Sequence, residues 1–475
     1  MRRSLPRGAV AGVLALPFLI GIAALRGLTV ALPIFHSDDE FNYHLPTIRQ
    51  FAHQLPLPDL GHYRAAQTPL FHLVMALASK VVGLELWRLR LLEVLISYAL
   101  ALAVYRLLRR RLDQPQPVAL GLALLFTLSP YVLGSAFRVI TDNLATLFIV
   151  LALDRCQAFS AQRRLRAFAL ACVWVAGATL TRQSSAFMFA VLGIYALRVP
   201  RTPGGRFAAL ALVAASVLPA LVLFAVWGGI VPPGGDPSSC GLCTSGAGGA
   251  GLSMGTPELT LATLGLYGAV LFLPPAVLSI RAGGTVRDAV GGRLAPVLAG
   301  AGTGALLLLV FPDRPAADAA GLIAAVARHF PVVLGSSLLL WALIPAAGAI
   351  VVWRARVAPA PELIIVFTAA FLAGALATRY PWQKYVDPFA LLMLVISAVP
   401  AELRPLRAWA GALVLAVGFV AYAADPALHK DVPAPRAQAV APPRAVGREP
   451  GPERTTGATV GRRARGLQLA VGGAV

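Results

Sequence analysis

Three consecutive carboxylates, Asp38, Asp39 and Glu40, stand in the run His36-Ser37-Asp38-Asp39-Glu40-Phe41-Asn42-Tyr43-His44-Leu45-Pro46, directly after the first apolar segment of a very hydrophobic chain. Carboxylates at a membrane surface are costly to desolvate and rarely serve as core. The run is therefore the first candidate for chemistry: one carboxylate that takes a proton, with neighbours that orient a substrate or raise its pKa by mutual repulsion. A helix N-cap accounts for one aspartate but poorly for three in a row. Three further polar clusters separate later apolar segments: Thr141-Asp142-Asn143, Thr181-Arg182-Gln183-Ser184, and Arg379-Tyr380-Pro381-Trp382-Gln383-Lys384-Tyr385. Thr141 or Asp142 can serve simply as an N-cap. The aromatics of the last cluster fit an interfacial belt. Neither reading covers the cations Arg182, Arg379 and Lys384, which suit an anionic ligand such as a departing phosphate.

These side chains must be held by membrane helices. The 475 residues are 58% hydrophobic and only 13% charged, against about 25% charged in soluble domains. Apolar segments run over 9–33, 68–84, 88–106, 118–137, 141–155, 166–181, 184–198, 207–231, 258–280, 294–311, 331–353, 361–378, 386–400 and 406–424. The first follows Arg2, Arg3 and Arg7 and reads as an uncleaved helix with its basic end inside. Arginines cluster at 106–111, 155–166, 198–206, 281–293, 354–356 and 404–407, all expected on the cytoplasmic side. They share that side only if 68–84, which is short and holds Lys80, does not cross. The expectation is an all-α polytopic protein of about 13 transmembrane helices with outer juxtamembrane helices. The acidic loop 34–66 and the clusters at 137–142, 181–184 and 379–387 then fall on the outer face. Phe41, Leu45, Ile48 and Phe51 recur at helical spacing, so 40–54 reads as an interfacial amphipathic helix. Pro69 suits the start of the next helix, and His72 is expected to snorkel to the interface.

The domain division is 1–424, a membrane domain, and 425–475, a Pro-, Ala- and Arg-rich tail without periodicity that is expected to be disordered. The net charge of +20 comes almost wholly from Arg. No nucleic-acid motif accompanies it, so no nucleic-acid partner is expected. Cys156 and Cys172 lie at or within apolar segments and should be inert. Cys240 and Cys243 lack companions for a zinc site and are either a local disulfide or two free thiols.

Asp39-Glu40, His44-Leu45-Pro46, Thr68-Pro69-Leu70, Thr141-Asp142, Arg182-Gln183 and Arg379-Tyr380, in that order, resemble the pattern of the GT-C glycosyltransferases. Within them the pattern is most like that of the dolichyl-phosphate-glucose alpha-1,2-glucosyltransferases. The resemblance implies transfer of a sugar from a polyprenyl-phosphate donor to a glycan, lipid or protein acceptor at the extracytoplasmic face, a bacterial-type plasma membrane being the expected location. On that reading Asp39 is the general base, with Glu40 or Asp38 orienting the acceptor. Lys384 and Arg379 bind the lipid phosphate, with Arg182 a weaker candidate, and His44, Asp142, Gln183 and Tyr380 complete the substrate site. No cofactor is expected; the acids holding Mg²⁺ or Mn²⁺ is the lesser alternative. Two other classes compete. A lipid-linked-saccharide transporter or flippase would place ionisable groups near the midplane with repeat symmetry, and no repeat is visible. A noncatalytic assembly protein would use the acidic loop to bind a partner.

Overall fold

A computed structural model describes residues 5–28, 39–235, 254–289, 292, 294–312, 321–378 and 382–424. Asp38, Arg379, Tyr380, Cys240, Cys243 and the tail 425–475 lie outside the described residues. Among the described residues eighteen α-helices follow one another: α1 (Arg7–Ala24), α2 (Leu45–Gln54), α3 (Leu70–Val82), α4 (Leu86–Arg110), α5 (Gln116–Thr127), α6 (Pro130–Ala136), α7 (Asp142–Gln162), α8 (Leu165–Thr181), α9 (Phe187–Arg198), α10 (Pro203–Trp227), α11 (Gly255–Arg281), α12 (Val286–Ala289), α13 (Leu294–Val310), α14 (Leu322–Ala327), α15 (Leu338–Val357), α16 (Pro361–Ala375), α17 (Gln383–Ile396) and α18 (Ala410–Ala424). The all-α expectation is met but for one tiny antiparallel pair, β1 (Val332–Val333) and β2 (Ser336–Ser337).

Helix ends follow local chemistry. Proline occupies the first turn of α5, α6, α10 and α16, where its missing N–H costs nothing. The Thr202 side chain accepts from Gly205 N and caps α10.

Among the described residues six helical stretches are long and apolar enough to cross a bilayer: α4, α7, α10, α11, α15 and 406–423. The pair α5 and α6 makes a seventh if read as one span bent by 72°. Five others, the bulk of α1 and all of α3, α8, α13 and α16, are apolar but shorter, against the ~20 residues that a straight span needs. Hydropathy measures composition over a window, whereas a span also needs an unbroken helix, and here Pro, Gly and Ser-Pro steps cut several apolar runs short. The stretch 331–353 opens with the β1–β2 hairpin before α15 begins, and 184–198 opens with a 3-10 turn over Gln183–Ala186.

Among the described residues a large apolar cluster takes in α4, α5, α7, α8, α9, α11, α15, α16, α17 and α18, and two smaller clusters lie beside it. By contrast α10 keeps Phe207, Leu218, Leu221, Val222 and Val226 exposed, as a lipid-facing helix does. Helices α13 and α15 approach closely because Gly300 and Gly348 face each other; a Cβ on either would strike the other's backbone carbonyl.

Two features position the polar side chains. The acidic loop enters a π-helical turn, Glu40–His44, that runs straight into α2. Leu45, Ile48 and Phe51 of α2 are buried in a cluster with Phe71 and Met75 of α3, Tyr63, and Trp227 of α10, while Phe41 stays 41% exposed. The expected amphipathic helix therefore packs on protein with three of its four apolar residues. The second feature is the break between α5 and α6. Ser129 caps α6 at Tyr131 N and donates to Asp387 of α17, which also receives the Tyr267 hydroxyl of α11. Non-helical backbone at membrane depth persists only where protein satisfies it, and this buried network does so. The break aims 137–142 at the loop that carries Asp39.

Candidate active site

The side chains that the sequence scatters over 345 positions converge. Lys384 Nζ lies 3.0 Å from Asp39 Oδ2, and Arg182 is paired with Asp142. Tyr385 sits between the pairs: its ring centroid is 4.5 Å from the Arg182 guanidinium and 5.1 Å from Lys384 Nζ. Lys384 also lies 4.6 Å from the Trp382 ring, so the expected aromatic belt in part holds the cations.

Two compartments meet at these pairs. The smaller is polar and lined by Asp39, His44, Ser135, Arg138, Thr141 and others. The larger encloses about 850 Å³, counting its open mouth, and is mostly apolar, with Phe187, Phe371, Gly374, Ala375 and Phe389 on its walls. Gln67, Asp142, Arg182, Lys384 and Tyr385 line both. Burial works against the Lys384 ammonium, but Tyr385, Asp39 and Asp142 outweigh it and hold its pKa above the usual lysine range. His44 goes the other way: burial pulls it down to about 4, against the opposing pull of Asp39 and Asp142. The boundary between the polar and the apolar space thus holds one carboxylate, Asp142, and two cations, Arg182 and Lys384, with Asp39 beside them on the polar side.

Some expected site residues stand elsewhere. Glu40 lines neither compartment. It forms a two-pronged ion pair with Arg90 of α4, Nε to Oε1 at 3.0 Å and Nη2 to Oε2 at 2.7 Å, and accepts from Val139 N at 3.0 Å. Both side chains are 1% exposed. Expected among the catalytic carboxylates, Glu40 is placed to tie the acidic loop to α4 and to the segment 137–142. Gln183 lines the larger compartment, yet its amide is spent on Ala66 O at 2.8 Å and on Thr68 N at 3.3 Å, so it tethers the loop rather than offering itself to a ligand. His72 does not snorkel; it is fully buried. Thr141 is the N-cap residue of α7 but makes no side-chain cap bond. Lys80 is exposed and lines neither compartment. Among the described residues no three His, Cys, Asp or Glu side chains gather as a metal-ligand set.

Sequence reasoning missed Arg90, Arg138, Gln67 and Tyr385. A signal existed for Arg90: an Arg inside the apolar run 88–106 needs a buried partner. Its pairing makes a prediction. Glu40→Ala leaves Arg90 buried and uncompensated, which should cost about 3–5 kcal/mol, read as a loss of thermal stability in detergent. Adding Arg90→Met should restore most of it. Wild-type stability in Glu40→Ala, with activity lost, would return Glu40 to the chemistry.

Residues 66–228 match the family model described as dolichyl-phosphate-mannose-protein mannosyltransferase. That stretch carries Gln67, Asp142, Arg182 and Gln183 and stops well before Lys384. Over it the chain is similar to membrane glycosyltransferases, in keeping with the superfamily level of the sequence resemblance; a preference for glucose is not part of that match. Among solved structures, arabinosyltransferase EmbB from Mycobacterium smegmatis aligns with 15% identity and a TM-score of 0.34, over 91% of this chain and 42% of that one. The chain therefore spans less than half the length of that protein. No curated protein matches the chain.

Proposed function

We propose that this chain is an integral-membrane glycosyltransferase of the GT-C type that moves a sugar from a polyprenyl-phosphate donor to an acceptor hydroxyl. The observation that carries the reading is the junction itself: Asp142, Arg182 and Lys384 line both a polar compartment and a mostly apolar one, with Asp39 on the polar side paired to Lys384. A lipid-linked sugar has that same division. Its isoprenoid chain suits walls of Phe187, Phe371 and Phe389, its phosphate suits two cations, and its sugar suits the polar side. The match over 66–228 supports the same class.

The reaction follows from the pairings. The entering phosphate competes with Asp39 for Lys384, and a shift of the ammonium to the phosphate frees the carboxylate. Asp39 then takes the proton of the acceptor hydroxyl as its oxygen attacks the anomeric carbon. The bond between that carbon and the phosphate oxygen breaks, the electron pair leaves with the lipid phosphate, and configuration inverts. Lys384 and Arg182 stabilise the charge that grows on the leaving group; Arg379 is the further candidate that sequence supplies. Asp142, held by Arg182, is placed to orient the sugar or the acceptor. The reaction proceeds without a metal; Mg²⁺ or Mn²⁺ held by the acids of the first loop is the alternative, and transfer that persists in EDTA would argue against it. The donor sugar and the acceptor, whether glycan, lipid or protein, are open to assay.

The site is proposed to face away from the cytoplasm, in about 13 spans of which several are shorter than the ~20-residue norm. Cysteine labelling tests this. Leu57→Cys, at an 87% exposed position of the acidic loop, should react with a membrane-impermeant maleimide from outside intact cells, whereas Arg110→Cys should react only after permeabilisation. The reverse pattern would put the cleft on the cytoplasmic side.

A further inference from the structure

His44 and His72 form a buried pair beside the polar compartment. Nδ1 of His44 lies 2.9 Å from Nε2 of His72, with the rings stacked at 5.2 Å and 18°. Phe51, Tyr63 and Phe71 pack around His72, which is fully buried. Its other nitrogen, Nδ1, has no hydrogen-bond partner among the described residues. His44 lines the polar compartment and His72 does not, and Nε2 is the His44 ring nitrogen that the shared bond leaves over. Beyond the bond to His72, His44 makes no hydrogen bond among the described residues.

One proton occupies the shared bond, and its owner fixes both tautomers. If His44 Nδ1–H donates, His72 must carry its proton on Nδ1, buried and unpaired. If His72 Nε2–H donates, His72 Nδ1 is only a bare lone pair, and His44 carries its proton on Nε2. Orphaned N–H groups are rarer in protein interiors than under-used acceptors, which favours the second arrangement.

We propose that His44 is a specificity residue: a neutral donor, its tautomer locked by His72, that gives Nε2–H to a hydroxyl oxygen of the bound sugar. The identity of the ligand rests on the glycosyltransferase reading; the tautomer does not. A hydroxyl fits better than the phosphate, because Arg182 and Lys384 serve the phosphate where both compartments meet, while His44 lines the polar one alone. A buried donor built for a hydroxyl also discriminates, since a sugar lacking that hydroxyl leaves the N–H unpaired.

The test uses full-length protein with isotope-labelled histidine in lipid nanodiscs. Nitrogen NMR should find His44 neutral and protonated on Nε2 from pH 5.5 to 8. His72→Phe should release the lock and mix the tautomers. His72→Gln, whose amide N–H₂ can still donate to Nδ1, should keep it and guards against a folding artefact. Farnesyl-phosphate-linked mannose and glucose, with their single-deoxy analogues, are then titrated. At least one parent donor should shift the His44 Nε2 signal, and one deoxy analogue should fail to shift it and bind roughly tenfold or more weakly. His44→Phe should erase that discrimination. A proton found on Nδ1, a charged ring at pH 6, or equal or absent shifts from all analogues would overturn the proposal. Turnover of the same donors is scored separately: locked tautomer and selective shifts without any sugar release would sink the transferase reading and leave the His44 site standing.

Discussion

Asp39→Asn is expected to lower the transfer rate by about 10²–10⁴, the usual cost of losing a general base, while donor affinity stays level or improves. The substitution keeps shape and removes the proton acceptor. It also removes the partner that holds Lys384 at 3.0 Å, so the ammonium no longer has to leave a carboxylate to reach the phosphate. A rate loss with unchanged or tighter donor binding is therefore the specific signature of a base that is paired before the donor arrives. Binding and rate falling together would instead make Asp39 a substrate ligand. Asp142→Asn serves as the comparison, since Asp142 is held by Arg182 and should lose less; an inactive Asp142→Asn beside an active Asp39→Asn would move the base to Asp142. Single-turnover rates and donor affinities for both variants decide this.

Lys384→Ala should cost roughly 10²–10³ in kcat/KM, the scale for removing one preorganised charge from a developing anion. The loss should be shared between weaker donor binding and slower chemistry, because a cation meets the phosphate in the ground state and meets more charge in the transition state. Lys384→Arg should retain part of both. The aromatic rings of Trp382 and Tyr385 hold the ammonium in place, so its position does not depend on Asp39 alone. Lys80→Ala should change nothing, since Lys80 is exposed and away from both compartments. Matched donor affinity and single-turnover measurements check this; an inert Lys384→Ala would remove the phosphate from this junction.

The charges at the cleft were legible in the sequence because they break a simple pattern. Asp39, Asp142, Arg182 and Lys384 stand at the ends of apolar segments, where a carboxylate or a cation off the basic side needs a reason. Their convergence was inferred from topology alone; no local spacing carries it. What was illegible is the assignment of partners. Asp39 and Glu40 are neighbours in the chain, yet one turns to Lys384 and the other to Arg90, because the π-helical turn that begins at Glu40 points successive side chains in different directions. His72 looked like an interfacial residue because its burial depends on Phe51 and Tyr63 from another segment. The length of individual helices escaped hydropathy for a related reason. The Ser129-Pro130 step bends an apolar run by 72°, and the hydroxyl at that bend finds its partner in Asp387, 258 positions away.

The step proposed for this cleft is cleavage of the bond between a sugar and a lipid phosphate. Purified full-length protein in nanodiscs, given mannosyl- and glucosyl-phosphoryl polyprenols with a membrane extract as acceptor source, tests it most directly. The readout is free polyprenyl phosphate alongside a new glycoside of inverted configuration. Both products are expected in equal amounts from at least one donor, and both should be lost in Asp39→Asn. Intact donor throughout, with the labelled lipid-linked sugar instead carried across the bilayer of reconstituted vesicles, would contradict it and assign the chain to transport.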